Sequence, residues 1–114
     1  MTLREKQADF VVMVSKLVCF AFVTGIKVFV LEWYRDAERQ KELIKSGASQ
    51  IKNASQGKHV RGLAVDICIM EGRTVTWDFN KYVPLGEYWE KIGGVWGGRW
   101  KTIRDGVHFE YKEE

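Results

Sequence analysis

Proline, histidine and cysteine are all scarce in this sequence of 114 residues, which has one, two and two of them respectively. Cys19 and Cys68 lie far apart without CxxC spacing, and two cysteines cannot define a disulfide framework. We therefore expect both to be small, buried, reduced residues. Because histidine is so rare, the position of each histidine carries information.

The sequence also lacks a long uninterrupted apolar run. Ser15 and Lys16 divide the apolar N-terminal segment, Asp9 precedes it, and no small-x-small cleavage site follows it. No stretch approaches the ~20 consecutive apolar residues that a membrane span needs. We expect no export signal and no membrane insertion, and hence a protein that is cytoplasmic when it is made.

No strong charge excess is present either. Eighteen Lys and Arg against fifteen Asp and Glu give a net charge of +3, which is too small to predict nucleic-acid binding. The 29% charged and 46% hydrophobic content is ordinary for a globular protein and excludes a disordered chain or a coiled-coil rod. The length predicts a single domain, residues 1–114, and we expect a monomer. A solvated basic face is expected from Lys41, Lys45, Lys52 and Lys58.

Hydrophobic periodicity and turn residues predict helices that pack on a small, mostly antiparallel sheet, which is an α+β fold. A helix over residues 3–23 should end at Gly25, and Asp36 should cap a second helix over 37–44. The other expected elements are strands at 28–31, 63–70, 74–77 and 107–111, a helix at 85–92, a loop at 47–58, and a glycine-rich aromatic loop at 93–100.

Each histidine has a carboxylate at short spacing. His59 lies seven residues before Asp66, and Asp105 lies three before His108. A bend at Gly62 could aim His59 and Asp66 at one point, and His108 on an adjacent strand could add a third ligand. Two imidazoles and one carboxylate form a catalytic zinc shell with a fourth position for water, with Asp105 as candidate general base. Neither spacing is a strong motif alone, so ordinary core or surface histidines remain the alternative.

These residues carry a family resemblance. Residues 59–66 (HVRGLAVD) resemble the H-x-x-G-x-A-x-D motif of M15-type zinc D,D-peptidases, and residues 105–108 (DGVH) resemble the later D/E-x-x-H motif. Tyr34 and Arg35, with Gln40 downstream, resemble the Y-R…Q segment. Residues 84–90 and 94–100 resemble the stretch that precedes the last motif in small phage members. The resemblance covers residues 5–112 and implies the Hedgehog/DD-peptidase fold.

The resemblance implies a site and a reaction. His59, Asp66 and His108 would bind zinc, and Asp105 would activate the attacking water. Arg35 would polarise the scissile carbonyl or hold a substrate carboxylate. The expected substrate is a peptidoglycan stem peptide. An aspartate at the base position resembles the L-alanyl-D-glutamate endopeptidases of phage and prophage endolysins, which act on the cell wall after release.

Two alternatives stay open. A D-Ala-D-Ala carboxypeptidase would use the same core, with loops deciding which bond fits. A non-catalytic, zinc-containing cell-wall-binding module would keep the metal site, although such a module has no need of the spare carboxylate of Asp105.

The roles of four further residues stay open. Glu110 shares the His108 face of a strand, where it could orient the imidazole or be the base itself. Gly57 stands where many family members have serine, which leaves a nearby hydroxyl in doubt. Trp96 and Trp100 are either core residues or a substrate platform.

Overall fold

The structure, a computed structural model, describes residues 1–34 and 54–113, with backbone alone for residues 54–56. The predicted helix at 37–44 lies outside the described residues, as do Arg35 and Gln40. In chain order, the described elements are α1 (Leu3–Val23), β1 (Lys27–Glu32), α2 (Ala54–Val60), β2 (Ala64–Glu71), β3 (Thr74–Thr76), α3 (Phe79–Lys91), β4 (Val95–Trp96), a 3₁₀ turn (Gly97–Arg99) and β5 (His108–Glu110).

Strand β2 is the centre of the sheet. It pairs along its length with β1, and its other edge is shared by β5, opposite Ala64–Asp66, and β3, opposite Ile69–Glu71. Strand β4 pairs with β5, and every one of these pairings is antiparallel. The predicted α+β class with an antiparallel sheet is confirmed.

Side-chain alternation separates the core from the other face of the sheet. Successive residues of a strand point to opposite faces. Val65, Ile67 and Ile69 of β2 and Phe109 of β5 join the core that α1 and α3 cover, whereas Asp66, His108 and Glu110 occupy the opposite face. The principal core residues are Phe10, Val14, Leu17, Leu63, Val65, Ile67, Tyr82, Leu85, Trp89, Trp96 and Phe109.

Helix α1 begins and ends as predicted. Thr2 accepts a hydrogen bond from the Glu5 backbone while the Glu5 side chain accepts one from the Thr2 backbone, which is a capping box. Gly25 adopts φ +79°, the left-handed conformation that commonly follows a helix end. Within residues 1–34 and 54–113, no helix combines the length and the apolar character that crossing a bilayer requires.

One helix prediction and two loop predictions need correction. Helix α3 begins at Phe79 rather than at 85, with Asp78 accepting from the Asn80 amide, and Pro84 lies inside it. Proline favours helix starts over interiors, so a start just after Pro84 was the simpler expectation. Residues 54–58 belong to α2 rather than to a loop. The loop was expected because small, polar residues show no apolar periodicity. The predicted aromatic loop also contains β4 and the 3₁₀ turn.

Two side-chain predictions are wrong. Cys19 is exposed, because it lies on the outward side of α1, whereas Cys68 is buried as expected and both are free thiols. Lys58 is only 9% exposed. Its Nζ donates to the Tyr111 carbonyl oxygen at 2.9 Å and pairs with Glu113 at 3.0 Å.

Two tryptophans join α3 to the strands β4 and β5. The buried Trp96 ring lies against the backbone of Gly86 and donates from Nε1 to the Gly106 carbonyl oxygen at 2.8 Å. Trp89 Nε1 donates to the carbonyl oxygens of Val95 and Glu110. Trp96 is therefore a core residue.

The Gly86→Ala variant should be destabilised. Alanine favours a helix over glycine by about 1 kcal/mol, but a Cβ on Gly86 would overlap the Trp96 ring. The fixed ring leaves little room for adjustment, so the free energy of unfolding should fall by about 1–3 kcal/mol in urea denaturation. Gly57→Ala is the matched control, because a Cβ there meets no atom within 4 Å. Equal stability of wild type and Gly86→Ala would contradict this packing.

Glu113 lies at the centre of a cationic cluster near the end of the described chain. Its carboxylate pairs with Lys6 of α1 at 2.7 Å, with Lys58 of α2 at 3.0 Å and with Arg61, and its side chain is 15% exposed. Hydrogen bonds from Lys6, and then from Lys58 and Arg61, outweigh partial burial and hold the pKa of Glu113 at about 2. These ion pairs connect the segment after β5 to α1 and α2.

Removing this carboxylate should have a pH-dependent effect. Because its folded pKa is depressed, its stabilisation is present above the unfolded pKa of ~4.3 and is lost as pH falls toward 2. Glu113→Gln should lower the free energy of unfolding at pH 7 by about 1 kcal/mol, since ion pairs open to solvent contribute modestly. The difference from wild type should shrink between pH 5 and pH 2. Glu71→Gln, which removes a single exposed partner of Lys81, should change stability far less.

Candidate active site

Three elements place His59, Asp66 and His108 at one point. His59 is the penultimate residue of α2, and Gly62, at φ +71°, turns the chain into β2, where Asp66 lies. Leu63 donates back to the Lys58 carbonyl oxygen at 2.7 Å and closes this turn. His108 is the first residue of β5 and lies directly opposite Asp66 in the register. The bend expected at Gly62 is present, although His59 ends a helix rather than a loop.

The three side chains form a close set of potential metal ligands. One ligand atom from each lies within 4.8 Å of the others. Asp66 Oδ1 is 3.4 Å from His59 Nε2 and 3.2 Å from His108 Nδ1. Both imidazoles are almost fully buried and Asp66 is half-buried. Neutral imidazoles and a carboxylate in this arrangement could hold a divalent metal ion.

Second partners fix which ring nitrogen faces the centre. His59 Nδ1 lies 2.9 Å from the Trp33 carbonyl oxygen, which can only accept, so Nδ1 donates and Nε2 faces Asp66. His108 Nε2 lies 2.8 Å from Glu110 Oε1, so Nε2 donates to this carboxylate and Nδ1 faces Asp66. Metal-binding histidines are typically oriented by such partners. Glu110 therefore has the contact expected of a residue that orients the imidazole.

The electrostatics of the set favour a cation. Burial opposes a charged imidazole, but hydrogen bonds to Asp66 and Glu110 outweigh it and raise the pKa of His108 to about 9. Burial likewise opposes a charged Asp66, yet His108 and His59 hold the pKa of Asp66 at about 2. Without a metal ion, the carboxylates thus retain a proton on His108. A divalent cation would balance the negative charge of the same carboxylates, so these residues fit a metal ion.

Asp105 lies beside this set and outside it. Its backbone N–H donates to the Gly97 carbonyl oxygen at 3.0 Å, and its carbonyl oxygen accepts from the His108 amide at 3.3 Å. Burial, and then the charge of Asp66, raise the pKa of the half-buried Asp105, although His108 and His59 oppose the rise. A raised pKa suits a carboxyl group that must both accept and return a proton.

Sequence reasoning missed two contributions to this site. Gly97 admits the Asp105 segment, because a Cβ there would lie 2.5 Å from the Asp105 carbonyl oxygen. The glycine-rich stretch is a signal for this close approach, although the sequence predicted only a loop there. The Trp33 carbonyl that orients His59 gave no signal, since every residue carries one.

The remaining predicted residues divide among three outcomes. Trp100 is half-buried, with its ring centroid 4.9 Å from that of His108, so it borders the site while Trp96 lies in the core. Gly57 is exposed on α2 with open space around it. Arg35 lies outside the described residues.

The sequence of this chain is similar to those of known peptidases. The sequence profile of the M15 peptidase family described as D-alanyl-D-alanine carboxypeptidase matches residues 51–111, which are 61 of the 114 residues. The L-alanyl-D-glutamate peptidase of Listeria phage A118 is 30% identical over 102 residues, covering 84% of this chain and 34% of the relative. The peptidoglycan L-alanyl-D-glutamate endopeptidase CwlK of Bacillus subtilis strain 168 is 28% identical over 102 residues, covering 75% of this chain and 61% of the relative.

A solved structure is similar over most of the chain. The crystal structure of the Serratia marcescens L-Ala D-Glu endopeptidase ChiX superposes with a TM-score of 0.70 at 29% identity, covering 92% of this chain and 79% of that one. The chain spans only about a third and three fifths of the two sequence relatives' lengths. As the motifs around His59 and His108 predicted, the chain belongs to the M15 peptidase family.

Proposed function

We propose that this protein is a zinc-dependent peptidase that cuts peptidoglycan stem peptides between L-alanine and D-glutamate, as an endolysin-type enzyme. The observation that carries the proposal is the buried set of His59, Asp66 and His108 beside the separate carboxyl group of Asp105. The names of the two sequence relatives and of the structural neighbour support this choice of bond.

His59 Nε2, Asp66 and His108 Nδ1 would hold the zinc ion. Two imidazole nitrogens and one carboxylate oxygen suit zinc, whereas magnesium and calcium prefer oxygen ligands throughout. Three protein ligands are the number found in catalytic zinc sites, where a fourth position stays available. Bound zinc would polarise the scissile carbonyl and make a water molecule more acidic.

The other residues move protons and hold groups in place. Asp105 would accept a proton from the attacking water and return it to the amine of the leaving residue. Glu110 would be a positioning residue, since its buried carboxylate already accepts from His108 Nε2. Arg35 would stabilise negative charge on the carbonyl oxygen or hold a substrate carboxylate.

Two alternatives make different predictions. D-Ala-D-Ala carboxypeptidase activity is favoured by the description of the matching family profile, whereas the aspartate at position 105 and the named relatives favour the endopeptidase. A non-catalytic wall-binding module would leave Asp105 without a role. Because all three proposed metal ligands come from one chain, a monomer acting in the cell wall suffices.

Metal content and cleavage products test the proposal together. The purified protein should contain about one zinc ion per chain and should release fragments with new L-alanine carboxyl and D-glutamate amino ends from peptidoglycan, identified by mass spectrometry. A parallel incubation uses a peptide ending in D-Ala-D-Ala. Release of terminal D-alanine would replace the endopeptidase with the carboxypeptidase. Zinc without cleavage of either substrate would favour the binding module, and absence of zinc would contradict the metal site.

Three variants separate the proposed roles. His59→Ala should lose zinc and activity together, because a ligand is removed. Asp105→Asn should retain zinc but lose about 10²–10⁴-fold in kcat, the usual contribution of a general base. Glu110→Gln should keep measurable activity while zinc affinity falls about 10–100-fold, as expected for a residue that orients a ligand.

Zinc titration and steady-state kinetics distinguish these cases. An active Asp105→Asn together with an inactive, zinc-loaded Glu110→Gln would exchange the two assignments and make Glu110 the base.

A further inference from the structure

A cavity lies beside Asp105. Its volume is about 320 Å³, at the lower end of the ~300–1,000 Å³ range of ligand pockets. Asp105 itself contributes to the wall, together with Trp77, Phe79, Tyr82 and Arg104. The cavity therefore adjoins the residue that handles the proton in the proposed reaction, although no metal ligand lines it.

The aromatic walls of this cavity are held firmly. The hydroxyl of the buried Tyr82 donates to the Thr76 carbonyl oxygen at 2.7 Å and accepts from the Ile69 amide at 2.9 Å. Phe79 stacks on the core residue Trp96 with ring centroids 5.4 Å apart. The aromatic side chains that line the cavity are thus held in place by hydrogen bonds and ring stacking.

Arg104 is the cationic group of the cavity. Its Cζ lies 3.6 Å from the centroid of the Phe79 ring, so the guanidinium has a fixed aromatic support. Across residues 1–34 and 54–113, no carboxylate forms an ion pair with it. Arg99 differs, because it also lies over an aromatic ring, that of Trp96, but is bound to both oxygens of Glu90. As far as the described residues show, the Arg104 guanidinium has no carboxylate partner, and its planar fork suits bidentate binding of one.

The chemistry of the proposed substrate places a carboxylate at this position. Asp105 returns its proton to the leaving amine, so the residue that carries this amine must lie next to Asp105. In an L-alanyl-D-glutamate bond that residue is D-glutamate. It has two carboxyl groups, of which the chain uses one for the next peptide bond, so the other remains free.

We propose that Arg104 binds the free carboxylate of this D-glutamate and that the cavity is the subsite for the residue on the amine side of the cut bond. This inference rests on the proposed endopeptidase function, and it makes Arg104 a determinant of substrate specificity.

The test compares two stem peptides on the zinc-loaded full chain. One peptide carries the free D-glutamate carboxylate and the other carries its carboxamide. Wild type should cleave the acid about tenfold better, measured as kcat/KM, because a charge-assisted hydrogen bond is lost with the amide. Arg104→Gln should lose about tenfold on the acid, mainly in KM, and should change little on the amide. Titration of both peptides into zinc-loaded Asp105→Asn, with and without Arg104→Gln, should give the same ratios as binding constants without turnover.

Arg99→Gln is the matched control. It removes the same charge from the same kind of aromatic support, but Glu90 already occupies that guanidinium, so neither peptide should be affected. Arg104→Lys should keep part of the preference for the acid. Equal losses on both peptides, or no loss on either, would overturn the role of Arg104 while the wild-type endopeptidase stands. Failure of wild type to cleave either peptide would instead remove the proposed function, and the Arg104 subsite with it.

Discussion

The antiparallel pairing of β2 with β5 is the constraint on which the site depends. It puts Asp66 directly opposite His108, and the period of two then puts Glu110 on the same face, with Phe109 in the core. A slip of one residue would exchange these faces, sending His108 into the core and Phe109 out of it. The register is held at its far end, where the Tyr111 amide donates to the Leu63 carbonyl oxygen at 2.8 Å and the Trp89 indole donates to the Glu110 carbonyl oxygen at 3.0 Å.

That pairing also creates an electrostatic cost that a bound cation can offset. Asp66, Asp105 and Glu110 lie around two buried imidazoles, so the cluster has more carboxylates than histidines. Buried charge is expensive unless it is paired. Without a metal ion, the hydrogen bonds of His108 with Asp66 and Glu110 raise its pKa, so that a proton on the imidazole balances part of this negative charge. Metal binding and folding stability should therefore be coupled, because the same carboxylates are compensated in either case.

Local sequence patterns predicted those features of the structure that depend on residues close together in the sequence. Hydrophobic periodicity predicted helix α1, and the runs of β-forming residues predicted the strands at 63–70 and 74–77. The spacings of His59 with Asp66 and of Asp105 with His108 gave the ligand candidates. The prediction that failed for Lys58 concerns contacts with residues that are distant in the sequence. Lys58 is buried because its Nζ contacts Glu113 and the Tyr111 carbonyl oxygen. Nothing near Lys58 in the sequence indicates these two contacts. The short helix α2 likewise lacks an apolar period.

The potential metal ligands and the residue proposed to select the substrate lie in different parts of this fold. The potential ligands lie at a helix end and on two paired strands, where backbone hydrogen bonds fix them. Asp105 and Arg104 instead lie on the segment between the 3₁₀ turn and β5, which is admitted by Gly97 and supported by the stacked rings of Phe79 and Trp96. Under the proposed assignment, a substitution of Arg104 would alter which leaving residue is accepted without removing a potential ligand. This separation gives a physical reason why one metal core can serve peptidases described by different bonds, since loops that line a site decide what fits it.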